Sequence, residues 1–244
     1  MRISTHDMKL GIMQPYIFPY IGYFQLINAV DKFVIYDDVN FINKGWINRN
    51  RILNNGKDSL FTIPLKEASQ NKLINEIEIN WDIAWKSKFL KTLEQCYKKA
   101  PFYSEILPII EQTLSIDNEP VSKVIEHNLR LICNYLDIKT EIISSSALYQ
   151  NTHLKAQERI LDICLQEKVS QYINPIGGLE LYDKDFFETK NLQLNFIKSN
   201  SIEYPQFKNE FVPWLSMIDV LMFNSKDKIK EFLDNYELIL LWQK

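Results

Sequence analysis

The sequence predicts an α/β protein with a Rossmann-like, mainly parallel sheet and a helical insertion that caps it. Short apolar runs alternate with helical periodicity before residue 38, and they do so again after residue 140. Such alternation favours parallel strands with helices on the faces of the sheet. Between these two parts, residues 81–137 keep a helical period throughout. We therefore expect a single α/β domain over residues 1–244, with residues 81–137 capping the sheet.

The chain opens with a strand, a loop, a helix and a second strand. Residues 10–13 are an apolar run typical of a buried strand. Pro15 and Pro19 exclude regular structure from the loop that follows. From Tyr20 onward apolar residues recur at spacings of three and four, which predicts a helix. The next apolar run, 33–36, is the second strand, so this segment is a βαβ unit.

Polar side chains follow both strands of this unit, Gln14 after the first and Asp37 and Asp38 after the second. Ligands of open α/β sheets bind at the carboxyl ends of the strands, so we expect a site here. One of the two aspartates could orient an amine nucleophile or take its proton, while the other caps the following turn. The amide of Gln14 suits a sugar hydroxyl or a uracil-like edge, although a loop-capping role fits it equally.

The remaining elements follow from the spacing of the apolar residues. Asp82 is placed to cap the first of three helices in the insertion, Pro101 begins the second, and residues 121–136 form the third. Short or alternating apolar runs predict strands at 59–65, 73–80, 140–143, 171–174 and, as the last strand, 192–197. Further helices are predicted at 154–166, 214–223 and 226–236.

Residues 39–58 are expected to form a binding loop, because they are too polar and too rich in asparagine and glycine for the interior of an element. Aromatic and cationic residues in a loop after a strand end are typical of binding loops. The cations could pair with the oxygens of a pyrophosphate, or they could belong to a solvated basic loop. The candidate binding residues in this segment are Lys44, Trp46, Asn48, Arg49 and Arg51.

Two later segments carry further candidates. Residues 175–178, which follow a predicted strand, could cradle an anion with backbone N–H groups or form a plain turn. Polar and aromatic residues are dense before the C-terminal helices, and there Tyr204, Gln206 and Asp219 are candidate binding residues. Asp219 is expected to face a cleft.

Composition and missing motifs exclude several classes of function. The formal net charge of −3 and a pI near 5.7 give no electrostatic reason to expect a nucleic-acid partner. The sequence contains no secretory signal and no apolar run long enough to span a bilayer, so we expect a cytoplasmic protein without membrane insertion. A GxGxxG fingerprint and a P-loop are both absent. His127 and His153 lack paired ligands, so we expect no metal, and His127 remains a candidate general base.

The start of the first helix has the position of the HxGH tetrad of nucleotidylyltransferases. Here the tetrad is Tyr20-Ile21-Gly22-Tyr23, so the glycine matches and both histidines are replaced. A neutral phenol cannot supply the cation that stabilises charge at a transferred phosphate. The similarity therefore supports the Rossmann-like fold and argues against adenylyl transfer.

The chain resembles the WbqC-like family of bacterial surface-polysaccharide gene clusters. Many members have His-Gln-Pro where this chain has Met13-Gln14-Pro15, so a histidine is not available there. The resemblance implies attachment of glycine or another aminoacyl group to O-antigen sugars. The matching segments are 11–41, 46–50 (WINRN), 62–64, Tyr97 with 100–103 (APFY), 172–175 with 177–178, and the tail from Tyr204 and Gln206 through Phe211 to 215–219.

These observations lead to one main hypothesis and two alternatives. The main hypothesis is an N-acyl- or aminoacyltransferase acting on a nucleotide-linked amino sugar, with Gln14, Tyr16 and Tyr20 lining the sugar and base. We expect no bound cofactor; the acyl donor is a thioester of coenzyme A or of an acyl carrier protein, which would then be a partner. The alternatives are a non-catalytic binding or scaffold protein of the polysaccharide pathway and a divergent nucleotidylyltransferase. The oligomeric state is not predicted.

Overall fold

A computed structural model describes residues 7–240. Its strands are β1 (Lys9–Met13), β2 (Lys32–Ile35), β3 (Arg49–Asn54), β4 (Lys57–Thr62), β5 (Glu141–Ile143), β6 (Gln171–Pro175), β7 (Gln193–Ser199) and β8 (Tyr236–Leu240). Its α-helices are α1 (Ile21–Asn28), α2 (Ile83–Tyr97), α3 (Tyr103–Leu114), α4 (Val121–Tyr135), α5 (Ala156–Gln166), α6 (Lys184–Glu188), α7 (Met217–Phe223) and α8 (Lys226–Leu233). Short 3-10 helices lie at Ile74–Glu76, Ser146–Tyr149 and Ile176–Leu181.

Six of these strands form one sheet in the order β5-β2-β1-β6-β7-β8. The first five in this order are parallel, and β8 is antiparallel to β7. The chain builds outward from β1 to β2 and β5, then returns to the other side of β1 with β6 and β7. Ligands of such doubly wound sheets bind at the carboxyl edge near this reversal. The predicted Rossmann-like α/β fold is therefore confirmed.

Helices cover both faces of the sheet, and each face has its own apolar cluster. On one face α1 packs with the inserted helices α2, α3 and α4 and with α7 and α8. On the other face α5 and α6 pack against Leu10, Val34 and Tyr172. The contact of α1 with the sheet is close, because a Cβ at Gly11 would lie 3.3 Å from the Leu26 side chain of α1. The helical insertion thus shares its core with the sheet, while the expectation of a single domain stays a prediction.

The prediction of a loop over residues 39–58 is wrong in its second half, where β3 and β4 form an antiparallel hairpin. Asn50 and Ile52 are buried, so this strand carries apolar and polar side chains inward. The turn residues Asn55 and Gly56 both have positive φ, at 50° and 74°. Asparagine followed by glycine is the sequence signal of this type of hairpin turn, and it could have identified β3.

Three other elements also differ from the prediction. Residues 73–80 form a 3-10 helix and isolated bridges instead of a strand, because their alternating isoleucines point into the core from an irregular backbone. Trp214 has a φ of 61°, which a right-handed helix cannot contain, so α7 starts only at Met217. The last strand is not 192–197, because α8 ends at Leu233 and β8 follows it along the edge of β7.

Candidate functional site

A cleft of about 400 Å³ opens beside the carboxyl end of β7 and the start of α1. The loop after β7 and the segment before α7 form its walls. The lining combines aromatic rings with hydroxyl, amide and carboxylate groups, which is the usual composition of a small-molecule site. The lining residues used below are Tyr20, Ser199, Asn200, Ser201, Glu203, Tyr204, Phe211 and Trp214.

Tyr20 and Ser199 form the inner end of this cleft. Burial raises the pKa of Tyr20 above its ordinary value, and the Ser199 side chain opposes that rise. The Tyr20 ring folds back over Gly22 in the first turn of α1. A Cβ at Gly22 would overlap both the Tyr20 ring and the Ser199 hydroxyl. Glycine at this position is therefore what allows the inner end of the cleft to form.

Replacing Gly22 by alanine is expected to destabilise the protein by about 1–3 kcal/mol, since the new methyl group overpacks this contact. The gain of about 1 kcal/mol in helix propensity opposes this loss. Gly177→Ala is the matched control, because no atom lies within 4 Å of its added Cβ. Urea unfolding of both variants checks the prediction. Equal stability of Gly22→Ala and Gly177→Ala would contradict the described packing.

Trp214 stands at the mouth of the cleft with 62% of its surface exposed. Its ring meets the Tyr20 ring edge to face, with 6.1 Å between the centroids. The neighbouring backbone holds it there: Ser216 N–H donates to the Arg51 carbonyl and Met217 N–H to the Pro19 carbonyl, both at 2.9 Å. A large exposed side chain in a left-handed conformation is costly and is typical of functional sites.

A buried carboxylate supports the far wall of the cleft. Asp219 accepts hydrogen bonds from Tyr97 Oη (2.8 Å), Tyr204 Oη (2.7 Å) and Gln206 Nε2 (2.7 Å). Gln206 in turn accepts from Val212 N at 2.7 Å. Burial raises the pKa of Asp219, and the three hydrogen bonds oppose that rise. Of the predicted set of Tyr204, Gln206 and Asp219, only Tyr204 lines the cleft, and the other two position its wall.

Asp37 and Asp38 are buried at the carboxyl end of β2, away from the cleft lining. Asp38 forms an ion pair with Arg159 of α5 and accepts from the Ser146 hydroxyl. Asp37 accepts from the Ser145 hydroxyl at 2.6 Å, and burial raises its pKa. The predicted general bases are thus engaged in bonds that join β2 to the segment after β5.

Gln14, Tyr16 and Tyr20 belong to the loop after β1, and of these three residues Tyr20 lines the cleft. Tyr23 donates from its hydroxyl to the Gln14 carbonyl at 2.9 Å, and its ring lies 5.7 Å from the Tyr16 ring. Tyr16 has a raised pKa, through burial first and then through the nearby Tyr20 phenol. Tyr23 is fully buried, so it is not available for phosphate chemistry at the tetrad position. His127, the other candidate base, is half-buried on α4 and does not line the cleft.

The predicted cationic group lies on the outer face of the β3–β4 hairpin. Arg49 donates to the carbonyls of Gly45 (2.9 Å) and Lys44. Arg51 lies 3.4 Å from the Asp58 carboxylate. The Trp46 ring is flanked by both guanidinium groups, at 5.7 Å from Arg49 and 5.4 Å from Arg51. Asn48 donates to the Ile63 carbonyl at 2.7 Å.

Four residues line the cleft without being among the predicted binding residues: Ser199, Asn200, Glu203 and Trp214. The signal for the first two was present, because Ser199 ends β7 and Asn200 follows it, as Gln14 follows β1. The rule that ligands lie at the carboxyl ends of parallel strands would have found them. Trp214 belongs to the predicted polar and aromatic segment, but its exposure depends on a backbone conformation that distant contacts set. Among residues 7–240, no group of three His, Cys, Asp or Glu side chains is placed to hold a metal ion.

The fold and the cleft define a class: a doubly wound α/β protein with a cleft lined by aromatic and polar side chains at the carboxyl edge of its sheet. The chain belongs to the WbqC-like protein family, whose sequence model matches residues 14–231. One relative, an uncharacterized protein of Mycobacterium tuberculosis strain H37Rv, is 28% identical over 228 residues, which are 92% of this chain and 97% of the relative. No solved structure matches. In the described part of the chain, no helix is long and apolar enough to cross a membrane.

Proposed function

We propose that this protein transfers an acyl or aminoacyl group to an amino sugar held in the cleft, during bacterial surface-polysaccharide synthesis. The observation that carries the proposal is the composition of the cleft, where Trp214 and Tyr20 face a carboxylate, an amide and hydroxyl groups. The acceptor is a nucleotide-linked amino sugar and the setting is the cytoplasm. Family membership supports the polysaccharide context.

The chemistry of the lining matches that of an amino sugar. The C–H face of a pyranose packs against flat aromatic rings such as those of Trp214 and Tyr20. Ser199 and Asn200 offer groups that both donate and accept hydrogen bonds, as sugar hydroxyls do. The Glu203 carboxylate supplies the negative charge that a protonated sugar amine requires. We assign the nucleotide to the loop of Gln14 and Tyr16, which leads along the chain to Tyr20.

The proposed reaction needs one base and donors for an oxyanion. Glu203 takes a proton from the sugar ammonium, and the free amine attacks the thioester carbonyl carbon. A C–N bond forms, the carbonyl oxygen becomes an oxyanion that the Ser201 hydroxyl can stabilise, and the C–S bond breaks. The second amine proton leaves to solvent, and the thiolate departs with the electron pair of the C–S bond.

A transfer assay tests this proposal. The protein is incubated with a dTDP-linked amino sugar and glycyl or acetyl thioesters, and the sugar nucleotide is followed by mass spectrometry. We expect the mass to rise by the acyl group, with Glu203→Gln at least about 100-fold slower, as for loss of a general base. Glu210→Gln, an exposed acid in the same segment, is the control and should match the unmodified protein. Equal rates for the two variants would contradict the role of Glu203.

A second candidate is a protein that binds the amino sugar without transferring a group to it. The observation in its favour is that Asp37, Asp38 and Asp219, three buried carboxylates near the carboxyl edge, are all hydrogen-bonded within the protein. The same experiment separates the two candidates. Sugar binding with no product from any thioester would favour the binding protein.

A further inference from the structure

An exposed patch lies on the outer face of the β3–β4 hairpin and the turn before it. We call it the hairpin patch. Its apolar members are unusually exposed, at 50% for Ile42, 39% for Trp46 and 52% for Leu60. Contiguous exposed apolar surface of this kind marks interaction sites. The members of the hairpin patch are Ile42, Lys44, Trp46, Arg49, Arg51 and Leu60.

These residues form one surface. Gly45 N–H donates to the Ile42 carbonyl at 3.1 Å, and Arg49 Nε donates to the Gly45 carbonyl at 2.9 Å, which joins the turn to the hairpin. Arg51 pairs directly with Leu60 across the two strands, so the two side chains share a face. Trp46 lies between the two guanidinium groups and connects the turn to both.

The hairpin patch is cationic on a protein whose formal net charge is −3. It contains three cations, and the acid next to it, Asp58, offsets the charge of Arg51 alone. The backbone carbonyls that bind Arg49 fix its geometry and leave its charge in place. Tryptophan and arginine on a preorganised surface are the residues most enriched at the energetic centre of protein interfaces.

The hairpin patch adjoins the wall of the cleft. The carbonyl of Arg51 accepts from Ser216 N–H, two residues after Trp214 at the cleft mouth. Asn50, between the two arginines, donates from Nδ2 to the Phe18 carbonyl at 2.8 Å, in the loop that leads to Tyr20. A macromolecule seated on the patch would therefore lie beside the cleft.

We propose that the hairpin patch docks an acidic carrier protein that presents the acyl thioester to the cleft. This inference rests on the proposed function. The side chains of the patch lie on the outer face of a hairpin, and none of them is among the cleft-lining residues. An exposed surface of cations and apolar side chains complements an acidic protein surface. The cations first predicted to hold a pyrophosphate are assigned to the protein partner instead.

Binding of a phosphopantetheinylated acyl carrier protein, the probe, tests the docking site by calorimetry. We expect Arg51→Glu and Leu60→Asp each to weaken binding at least about ten-fold, as hot-spot residues do. Lys57→Glu, at the exposed start of β4 in the same hairpin, should change it less than about two-fold. Binding to the unmodified protein should also weaken as salt rises. No binding to the unmodified protein, or equal binding by Lys57→Glu and both patch variants, would overturn the proposal.

Titration with the dTDP-linked amino sugar separates this result from the proposed function. The two patch variants should bind the sugar like the unmodified protein. One outcome is that the carrier does not bind, while a coenzyme A thioester supports transfer at the same rate in the unmodified protein and in both patch variants. That outcome would contradict the docking site and leave the proposed function in place. If the carrier binds through the patch and no sugar binds, the proposed function fails.

Discussion

Replacing Arg159 by methionine is expected to lower the free energy of unfolding by about 3–5 kcal/mol, because it leaves Asp38 buried without its counter-charge. Both side chains of this ion pair are about 5% exposed or less. Arg159 also donates from Nε to Asn151 Oδ1 at 2.9 Å, and its guanidinium lies 4.9 Å from the centre of the Tyr36 ring. The substitution therefore disconnects α5 from the end of β2.

Urea unfolding of Arg159→Met measures this loss. Lys66→Met is the control, because the ion pair of Lys66 with Glu78 is exposed to solvent on both sides and contributes at most about 1 kcal/mol. A loss for Arg159→Met that does not exceed the control would show that Asp38 is not desolvated in the folded protein.

Replacing Asp219 by leucine is the second change with a large expected effect. It removes the acceptor shared by Tyr97, Tyr204 and Gln206, and each buried donor left unpaired costs about 1–3 kcal/mol. Asp219→Asn keeps one acceptor oxygen, so its loss should be smaller. Urea unfolding ranks the two variants, and equal losses for both would contradict the hydrogen-bond network. Because Tyr204 lines the cleft, both variants should also bind ligand more weakly than the unmodified protein.

The raised pKa of Asp219 gives this network a pH dependence with a defined sign. An acid whose pKa is higher in the folded than in the unfolded state binds the proton more tightly when folded. Above the pKa of the folded state, this group therefore adds nothing to the free energy of unfolding. The free energy of unfolding rises as the pH falls from the pKa of the folded state toward the ordinary carboxylate pKa. In Asp219→Asn this contribution to the pH profile of unfolding should be absent.

The alternation of apolar runs and helices was sufficient to predict the sheet. Short apolar segments, such as residues 10–13 and 33–36, predicted its parallel strands. A strand that is buried on both faces of a sheet reads as a continuous apolar run. The edge strand β8 was not predicted because residues 226–236 were assigned to one helix, whereas α8 ends at Leu233 and β8 begins at Tyr236. Strand β3 of the hairpin was not predicted, because it buries polar residues such as Asn50, whose side chains form hydrogen bonds inside the protein.

The candidate site was less predictable, because the partners of a polar side chain are set by the fold. The sequence predicted Asp38 as a candidate catalytic residue. In the structure it forms an ion pair with Arg159, which lies 121 residues further along the chain. Asp219 is buried in the same way by Tyr97, 122 residues away. The sequence identified the edge of the sheet where the cleft lies, and through Tyr20 and Tyr204 it identified two of the lining residues.

The most direct test of the central claim is calorimetric titration of a dTDP-linked amino sugar into the unmodified protein and into Trp214→Ala. We predict binding to the unmodified protein and a loss of at least about ten-fold in affinity for the variant, which corresponds to about 1.4 kcal/mol. Phe207→Ala is the control, since Phe207 is an exposed aromatic residue of the same segment that does not line the cleft. Absence of binding to the folded unmodified protein, or equal affinities for Trp214→Ala and Phe207→Ala, would contradict the assignment of the cleft.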